Sequence, residues 1–323
     1  MPTFHFNNYE LGTRCNLKLA LESLGLTRSL YRQAADFTED NLCLDNHALL
    51  HLERKDLLWR LLEAQQAPYM PRSIVLEEQN KADCINELAQ WKSENPEVVW
   101  IAKPALLNNG TQIRLFDTVE ALETFFHGKE YLRGPYVVQQ YLTSPHLHGG
   151  CKYAYRLFVL VTNYDGCYLY PQGYANISRE LYKTGAWQQR KMHITNLMLD
   201  GVMTDILQLR TADMPTFSAH FVQIQHIVTD VLRHFLNQFP EVIQIHSQPA
   251  FELLGFDFAC DAQGKVWLLE VNHGPDCPRP VDNHPLYTTF WIPFWHSIAE
   301  EFALPIACQK QAAHWAWQLL DFM

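Results

Sequence analysis

Apolar residues recur along this chain of 323 residues with two periods, one typical of helices and the other typical of strands. The helical period predicts helices over 27–35, 46–67, 81–93 and 217–239. Short apolar runs predict strands over 73–76, 98–104, 113–116, 136–142, 155–162 and 166–170. Asp117 is expected to cap a further helix, with Glu120 at the capping-box position. Two Trp-rich helices, over 287–302 and 308–322, are expected to close the core.

Polar residues interrupt two neighbouring apolar runs, 251–261 and 266–272, which together predict a β-hairpin. Asp257 lies in the first run, and Glu270 and Asn272 lie in the second. Because alternate residues share a face of a strand and paired strands bring opposite residues close, these three side chains are expected to converge. Buried oxygen ligands of this kind suit Mg²⁺. The alternative is that they are exposed at a sheet edge or paired with Lys or Arg.

Basic residues also lie within or beside the buried runs. Lys103 ends the strand 98–104 before a loop that contains Gly110, an arrangement that can hold a phosphate, although a single glycine there is more often only a turn. Arg156, near the start of a buried strand, is expected either to pair with an acid or to meet an anionic ligand. Lys55 is expected on the solvent-exposed face of its helix.

Composition and charge narrow the function classes. Hydrophobic residues make up 48% of the chain, enough for a folded core, and the formal net charge of −10 without a Lys- or Arg-rich run argues against a nucleic-acid partner. No apolar stretch has the length of a membrane span and no signal-peptide pattern begins the chain, so a cytoplasmic protein without a membrane partner is expected. The eight scattered cysteines are expected to be free, and His146 and His148 are expected in a surface loop rather than in a zinc site.

A series of segments between residues 98 and 275 follows the order found in one family of enzymes. They are Trp100-Ile101-Ala102-Lys103-Pro104, Gly110 with Ile113, Val137-Val138-Gln139-Gln140-Tyr141-Leu142, Lys152-Tyr153-Ala154-Tyr155-Arg156, His193-Ile194-Thr195-Asn196, Phe251-Glu252-Leu253-Leu254-Gly255-Phe256-Asp257 and Trp267-Leu268-Leu269-Glu270-Val271-Asn272. Together they resemble the tubulin tyrosine ligase-like family of the ATP-grasp superfamily. The resemblance implies an α+β chain with the ATP-grasp fold, in which two α+β subdomains sandwich ATP. It implies a small N-terminal domain at 1–70, a central ATP-grasp subdomain at 71–145 and a C-terminal subdomain with the metal site at 146–323.

The activity that the resemblance implies is the joining of an amino acid to a carboxylate of a protein or peptide, with ATP and Mg²⁺, through an acyl-phosphate. Tubulin is one possible acceptor. The loop 106–112 would close over the nucleotide and exclude water. The residues implied for ATP are Lys103, Gly110, Gln139, Gln140, Tyr141, Leu142, Lys152 and Asp257. Asp257, Glu270 and Asn272 are implied as metal ligands, and Arg156, Lys152 and Asn196 are implied in catalysis.

Three positions depart from the family pattern. Gln112 stands where the family has a second glycine of the loop, and Ala154 stands where it has an aspartate. Asn176 stands where it has an arginine that the resemblance puts near the amino acid or the acceptor. Two further hypotheses therefore remain open. One is a nucleotide-binding interaction protein without ligase turnover, and the other is a peptide or small-molecule ligase of the same fold that does not act on tubulin.

Overall fold

The computed structural model describes residues 1–322, and its N-terminal part is a small parallel sheet. Its strands are β1 (Thr3–His5), β2 (Thr27–Arg28) and β3 (Phe37–Thr38), in the order β2-β1-β3, and helix α1 (Gly12–Ser23) joins the first two. The helix expected over 27–35 is wrong, because this segment pairs with β1 and then forms only a short 3-10 turn. Leu30 and Tyr31 are exposed there, so a helix would have no apolar surface to cover.

The single helix expected over 46–67 is two helices, α2 (Asn46–Glu53) and α3 (Lys55–Glu63). Arg54 separates them with an extended backbone, at φ −73° and ψ 123°. Its guanidinium is held by both carboxylate oxygens of Asp56, at 2.7 and 3.2 Å. This break sets a new direction for α3 and decides which of its residues face inward.

A four-stranded antiparallel sheet follows, and its strands lie where the sequence predicts strands. Its strands are β4 (Ser73–Leu76), β5 (Trp100–Pro104), β6 (Arg114–Phe116) and β7 (Tyr136–Gln140), in the order β4-β7-β5-β6, and helices α4 (Lys81–Glu94) and α5 (Val119–His127) pack on it. The cap of α5 is Thr118, whose Oγ1 accepts from the Ala121 N–H, and not Asp117. Asp117 lies one residue too early, which also leaves Glu120 outside the capping-box position.

The second half of the chain is built on one large antiparallel sheet, which contains the predicted hairpin of 251–261 and 266–272 and the strands predicted over 155–162 and 166–170. Its elements are β8 (Leu147–His148), β9 (Cys151–Thr162), β10 (Cys167–Leu181), α6 (Arg190–His193), β11 (Met198–Leu199), β12 (Val202–Met203), β13 (Ile206–Arg210), α7 (Phe217–Gln238), β14 (Phe251–Cys260), β15 (Val266–His273), α8 (Ile292–Ile298), α9 (Leu304–Cys308) and β16 (Gln318–Leu319). The main strand order is β13-β10-β9-β14-β15, and β11 pairs only with β12.

The two faces of the large sheet are covered by different helices. The amphipathic helix α7, predicted over 217–239, packs on one face together with α2 and α3. The C-terminal helices and α1 pack on the other face, where Phe158 and Leu160 of β9 are buried. Lys152, Ala154 and Arg156 share the second face with them, because alternate residues of a strand point the same way. One face of β9 is therefore apolar core at one end and polar at the other.

The helix expected over 308–322 is wrong. A continuous helical segment does run from Tyr287 to Cys308, with single π-helical turns, but Gln309 ends it in the left-handed conformation at φ +52°. The chain then returns to the sheet and β16 pairs with β10. The buried carboxylate of Glu301 accepts from the N–H groups of Trp315 and Ala316, so the Trp-rich tail is an anchored strand and not a helix.

The structure can be compared with the expectations of free cysteines and of a surface position for His146. All eight cysteines are free, as expected. His146 is partly buried and lies 2.8 Å from the Tyr153 hydroxyl. Within residues 1–322 the structure contains no helix with the length and apolar character needed to cross a membrane.

The packing of Phe158 gives a test of this arrangement. Its ring is fully buried, with centroids 4.7 Å from Phe294 and 5.4 Å from Trp291. Phe158→Ala is expected to lower the free energy of unfolding by about 3–5 kcal/mol, because it leaves a cavity between sheet and helices. Urea denaturation measures this, with Val222→Ala on the exposed side of α7 as the control. A loss below about 1 kcal/mol for Phe158→Ala would contradict the packing described.

Candidate active site

A cavity of about 770 Å³ lies between the four-stranded sheet and the large sheet. Its size is typical of sites for cofactors and substrates. Both sheets and the 193–198 segment contribute to its wall. The predicted site residues that line it are Lys103, Gln139, Gln140, Tyr141, Leu142, Lys152, Arg156, Asn196, Asp257, Glu270 and Asn272. Gly110 does not line the wall, although the preceding Asn108 and Asn109 do.

The strand register of the large sheet brings the charged residues together. Arg156 of β9 is paired with Asp257 of β14, and Asp257 is paired in turn with Glu270 of β15. Asn272 lies two residues beyond Glu270, and its Nδ2 is 3.3 Å from Asp257 Oδ2. The convergence predicted for the two carboxylates and the amide is therefore confirmed as geometry. Their roles as metal ligands stay a prediction.

Arg156 and Asp257 form a bidentate ion pair at the centre of the cavity. The Arg156 Nε and Nη2 atoms donate to the two oxygens of Asp257 at 2.5 and 2.7 Å. Burial acts to lower the pKa of Arg156, but the charge of Asp257 outweighs it and raises that pKa. Burial likewise raises the pKa of Asp257 against the attraction of Arg156. Of the two expectations for Arg156, pairing with an acid is confirmed.

Lys55 is a site residue that sequence reasoning missed. It is buried, and its Nζ lies 3.4 Å from Glu270 Oε2 and donates to the Leu107 carbonyl at 3.0 Å. The solvent-exposed position expected for it is wrong, because the break at Arg54 turns this end of α3 toward the large sheet. Lys55 does share a helical face with Leu58 and Leu62, and that spacing was the signal that could have found it.

The carboxylate of Glu270 is strongly stabilised in its charged form. Burial alone would raise its pKa, but the positive charges of Lys55, Lys103 and Arg156 lower that pKa to about 2. Glu270 therefore remains an anion throughout the physiological pH range.

Two other buried lysines have no acid beside them. Lys103 donates to Gln139 Oε1 at 2.8 Å, and Lys152 donates to the Tyr141 hydroxyl at 2.8 Å. In the described part of the chain, no carboxylate lies within ion-pair distance of either ammonium group. Burial lowers the pKa of Lys103 to about 8 and that of Lys152 to about 7. Buried cations held only by neutral groups are costly, so an anion in the cavity would stabilise both ammonium groups.

The strand end 139–142 is held in place by its own backbone. The N–H groups of Gln140 and Tyr141 donate to the carbonyls of Arg72 and Val99, each at 2.8 Å. Gln139 is oriented by a hydrogen bond from its Nε2 to Ser73 Oγ at 3.0 Å. If this strand reads a base edge, as predicted, the N–H groups of Gln140 and Tyr141 are already engaged and cannot contribute.

The glycine-containing loop is fixed to the segment around β11. Gly110 has φ +65°, and a Cβ added there would lie 2.6 Å from the Leu199 side chain. The Gly110 carbonyl accepts from Arg190 Nη2 at 2.9 Å, and the Gln112 N–H donates to Asp200 Oδ1 at 2.7 Å. Gln112 has φ +57°, in the left-handed region that glycine adopts more readily than other residues.

The edge of the cavity beside β10 contains residues that sequence reasoning found only in part. Asn176 was noted as a departure, but Gln208 and His284, which also line the cavity, were not. Gln208 Nε2 donates to Asn176 Oδ1 at 2.7 Å, and Gln208 Oε1 lies 2.5 Å from His284 Nε2. No signal pointed to them, because β13 was not predicted and His284 lies outside regular structure.

Comparison with known proteins settles the family. A model of the tubulin-tyrosine ligase family matches residues 36–290. The chain belongs to the tubulin-tyrosine ligase family. This confirms the resemblance drawn from the sequence motifs, and the mixture of helices and antiparallel sheets agrees with it.

Several curated relatives in this family are similar to the chain over part of their length. A probable tubulin polyglutamylase, ttll-9 of Caenorhabditis elegans, is 30% identical over 55% of this chain and 46% of its own length. A probable alpha-tubulin polyglutamylase, Ttll1 of Tetrahymena thermophila, is 26% identical over 56% of this chain and 49% of its own. A probable tubulin polyglutamylase, TTLL2 of Mus musculus, is 25% identical over 72% and 46%. The chain thus spans about half the length of these relatives.

The strain on Lys152 predicts a specific pH dependence of stability. Because the folded pKa of Lys152 is about 7, below its ordinary value, the unfolded chain binds the extra proton between pH 7 and about 10. Lys152→Met is therefore expected to raise the free energy of unfolding of the ligand-free protein at pH 7, by an amount on the order of a few kcal/mol. The gain should shrink as the pH approaches 10, because Lys152 then loses its proton in the unfolded wild type as well as in the folded state.

Denaturant unfolding of both proteins from pH 6.5 to 10 measures this difference. Lys191→Met, a change at an exposed lysine of α6, is the matched control and should show no such trend. A Lys152→Met variant that is no more stable than wild type at pH 7 would show that this lysine is not held under strain.

Proposed function

We propose that the chain is an ATP- and Mg²⁺-dependent carboxylate–amine ligase of the tubulin-tyrosine ligase type, with the ATP-grasp fold. The observation that carries the proposal is the pair of buried lysines without a counter-ion, which face two carboxylates across one cavity. A polyphosphate with a bound divalent cation would satisfy both sets of charges, because its phosphate oxygens would pair with the lysines and its cation with the carboxylates. Lys103 comes from the four-stranded sheet and Lys152 from the large sheet, as expected for a nucleotide held between two subdomains.

The residues present fit a nucleotide. Lys103 and Lys152 would neutralise phosphate oxygens, and binding would restore the charged form that burial now disfavours. Lys55 would add a third positive charge from behind the cavity wall, where its Nζ lies 3.4 Å from Glu270 Oε2. The strand end 139–142 would line the base, with Leu142 supplying apolar surface on the cavity wall.

The residues present also fit a magnesium ion. Asp257 and Glu270 supply carboxylate oxygens, and the Asn272 amide oxygen supplies a neutral one. Mg²⁺ commonly takes one or two carboxylates from the protein and completes its shell with water and phosphate oxygens. Arg156 does not exclude the ion, because a carboxylate oxygen that accepts one hydrogen bond keeps a second lone pair.

The proposed reaction follows from the charges in the cavity. When bound, Mg-ATP supplies a γ-phosphoryl group to the acceptor carboxylate with release of ADP, and the amine then displaces inorganic phosphate to form the C–N bond. Lys103 and Lys152 would hold the phosphates in place, and Arg156 Nη1, which makes neither of the two hydrogen bonds to Asp257, would reach an oxygen on the substrate side. Anchored by Arg190 and Asp200, the loop with Gly110 and Gln112 would keep water from the activated carboxylate.

The relatives guide the proposal for substrates. Those named above carry the names of tubulin polyglutamylases, and another, of Mus musculus, is named a tubulin monoglutamylase. We propose a protein or peptide acceptor, with tubulin as one candidate, and an amino acid as the amine. The eight free cysteines support a reducing compartment such as the cytoplasm.

A second candidate function is nucleotide binding without turnover. The closed ion pair of Arg156 with Asp257 favours it, because both groups are engaged with each other. Ala154 and Asn176 add to it, since both stand at positions where the family has charged residues. Nucleotide binding with no amino-acid-dependent release of ADP would select this function. Release of ADP with a free short peptide, but not with tubulin, would instead select a ligase unrelated to tubulin.

The metal assignment predicts the effect of Glu270→Gln. This variant is expected to lower ADP release at least 100-fold, because it removes a carboxylate from the proposed Mg²⁺ site. Coupled-enzyme detection of ADP, with Mg²⁺, ATP and a panel of amino acids and acceptors, measures the rate. Glu63→Gln, at an exposed position of α3, is the matched control and should retain the wild-type rate. An equal rate in Glu270→Gln and wild type would refute the assignment.

The position of Lys55 predicts that it contributes to nucleotide affinity. Lys55→Met is expected to weaken the binding of a non-hydrolysable ATP analogue about tenfold, equivalent to the loss of one partly buried charge interaction of about 1.4 kcal/mol. Isothermal titration calorimetry with Mg²⁺ present measures the dissociation constant. Lys18→Met, a change at a partly exposed lysine of α1, serves as the control. An unchanged affinity in Lys55→Met would limit this lysine to a structural role beside Glu270.

A further inference from the structure

The cavity face of the large sheet changes character from one strand to the next. The acids lie on β14 and β15, and the cations Lys152 and Arg156 lie on β9. Beyond β9 the side chains that line the cavity from β10 and β13 are neutral. Asn176 of β10 is paired in register with Ala154 on one side and with Gln208 of β13 on the other. This neutral end of the cavity has no part in holding phosphates or metal.

A chain of hydrogen bonds fixes the direction in which Asn176 faces. The Leu286 N–H, which can only donate, points to His284 Nδ1 at 3.1 Å. His284 Nδ1 is therefore an acceptor, and the proton of the neutral ring is on Nε2. His284 Nε2 then donates to Gln208 Oε1, and Gln208 Nε2 donates to Asn176 Oδ1. A backbone group thus orients both amides, and Asn176 Nδ2 is left as the free end.

Asn176 therefore presents a hydrogen-bond donor to the cavity. Among residues 1–322, the one hydrogen bond of the Asn176 side chain is the bond that its Oδ1 accepts from Gln208 Nε2. Burial lowers the pKa of His284, in agreement with the neutral ring that the chain requires. Gln208 is itself buried, so this chain is shielded from water and cannot reverse without breaking a buried hydrogen bond.

The cations around this donor are held by other groups. Lys152, two residues before Ala154 on β9, donates its Nζ to the Tyr141 hydroxyl at 2.8 Å. The Arg156 guanidinium is turned toward β14 by its two hydrogen bonds to Asp257, on the side away from β10. Arg279, at the rim, is paired with Asp282 at 3.0 Å, and both are exposed. A carboxylate placed against Asn176 would lose its hydration for a single neutral donor, which is unfavourable. A neutral carbonyl oxygen needs only that one donor.

We propose that Asn176 Nδ2 binds an uncharged carbonyl oxygen of the amine substrate, so that the chain selects an amide-bearing amino acid and rejects an acidic one. Gln208 and His284 are positioning residues that hold Asn176 in the donor orientation. The proposal rests on the ligase function proposed above, and it gives that function a class of amine substrate.

Binding of three amino acids that differ only at the side-chain oxygen tests the proposal. Glutamine and the γ-methyl ester of glutamate offer a neutral carbonyl at the same place where glutamate offers a carboxylate. Calorimetry on the whole chain, loaded with Mg²⁺ and a non-hydrolysable ATP analogue, is expected to give at least tenfold tighter binding for the two neutral compounds. Asn176→Arg is expected to reverse this preference, and Asn237→Asp, at an exposed position of α7, is expected to leave it unchanged.

Gln208→Glu tests the orientation of Asn176 separately. An ionised glutamate at this position can only accept hydrogen bonds. It would accept one from His284 Nε2 and another from Asn176 Nδ2, which would turn Asn176 Oδ1 toward the cavity. Glutamine, whose amide can donate, is expected to bind this variant, whereas the methyl ester is expected to lose at least tenfold in affinity. A role for Gln208 in packing alone would weaken both compounds equally.

The outcomes separate this proposal from the ligase function. Binding of the analogue together with equal or tighter binding of glutamate would overturn the proposal and leave the nucleotide site intact. Binding of the analogue but of none of the three amino acids would also overturn it. Failure of the analogue to bind would remove both the proposal and the ligase function on which it rests.

Discussion

Two ammonium groups inside one cavity, each without an acid beside it, are the constraint on which the site depends. Lys103 and Lys152 are held by an amide oxygen and a phenol, and their mutual repulsion helps to lower the pKa of Lys152. They come from different sheets, so this repulsion acts across the space between the two layers. An anion placed between them converts the repulsion into two attractions. The instability of the ligand-free site and the affinity that we propose for a polyphosphate would then be two consequences of one arrangement.

The alternation of side chains along a strand explains how one sheet supplies both a core and a site. Phe158 packs under the C-terminal helices, whereas Arg156, two residues earlier on the same face, lies in the cavity. The register then assigns Asp257 and Glu270 to the neighbouring strands at the same level. A polar cluster built in this way is rigid, because each member is held by the hydrogen bonds of the sheet as well as by its own contacts.

Patterns within a single strand were predictable from the sequence, and contacts between distant segments were not. Asp257, Glu270 and Asn272 were found because they interrupt apolar runs, and a hairpin necessarily brings them close. Lys55 was misplaced because a break at one arginine redirects a helix without changing its apolar spacing. The tail after Cys308 was misread for a similar reason, since it is anchored at Glu301, which lies in another segment, and only one of its tryptophans, Trp317, is buried. Gln208 and His284 depend on a tertiary contact that no local pattern encodes.

The departures from the family pattern can be explained in two ways, and the hydrogen bonds distinguish between them. If Asn176 stood at the family's arginine position only because the activity had been lost, no ordered hydrogen bonds would be needed around its side chain. Instead, a backbone N–H, a neutral imidazole and a buried amide are arranged in one direction, and they leave a single donor facing the cavity. Such order in a buried polar chain is costly to maintain unless every member is satisfied, and the last member faces the cavity, where a ligand would satisfy it. The order at the neutral end of the cavity is therefore better explained by a different substrate than by a loss of substrate binding.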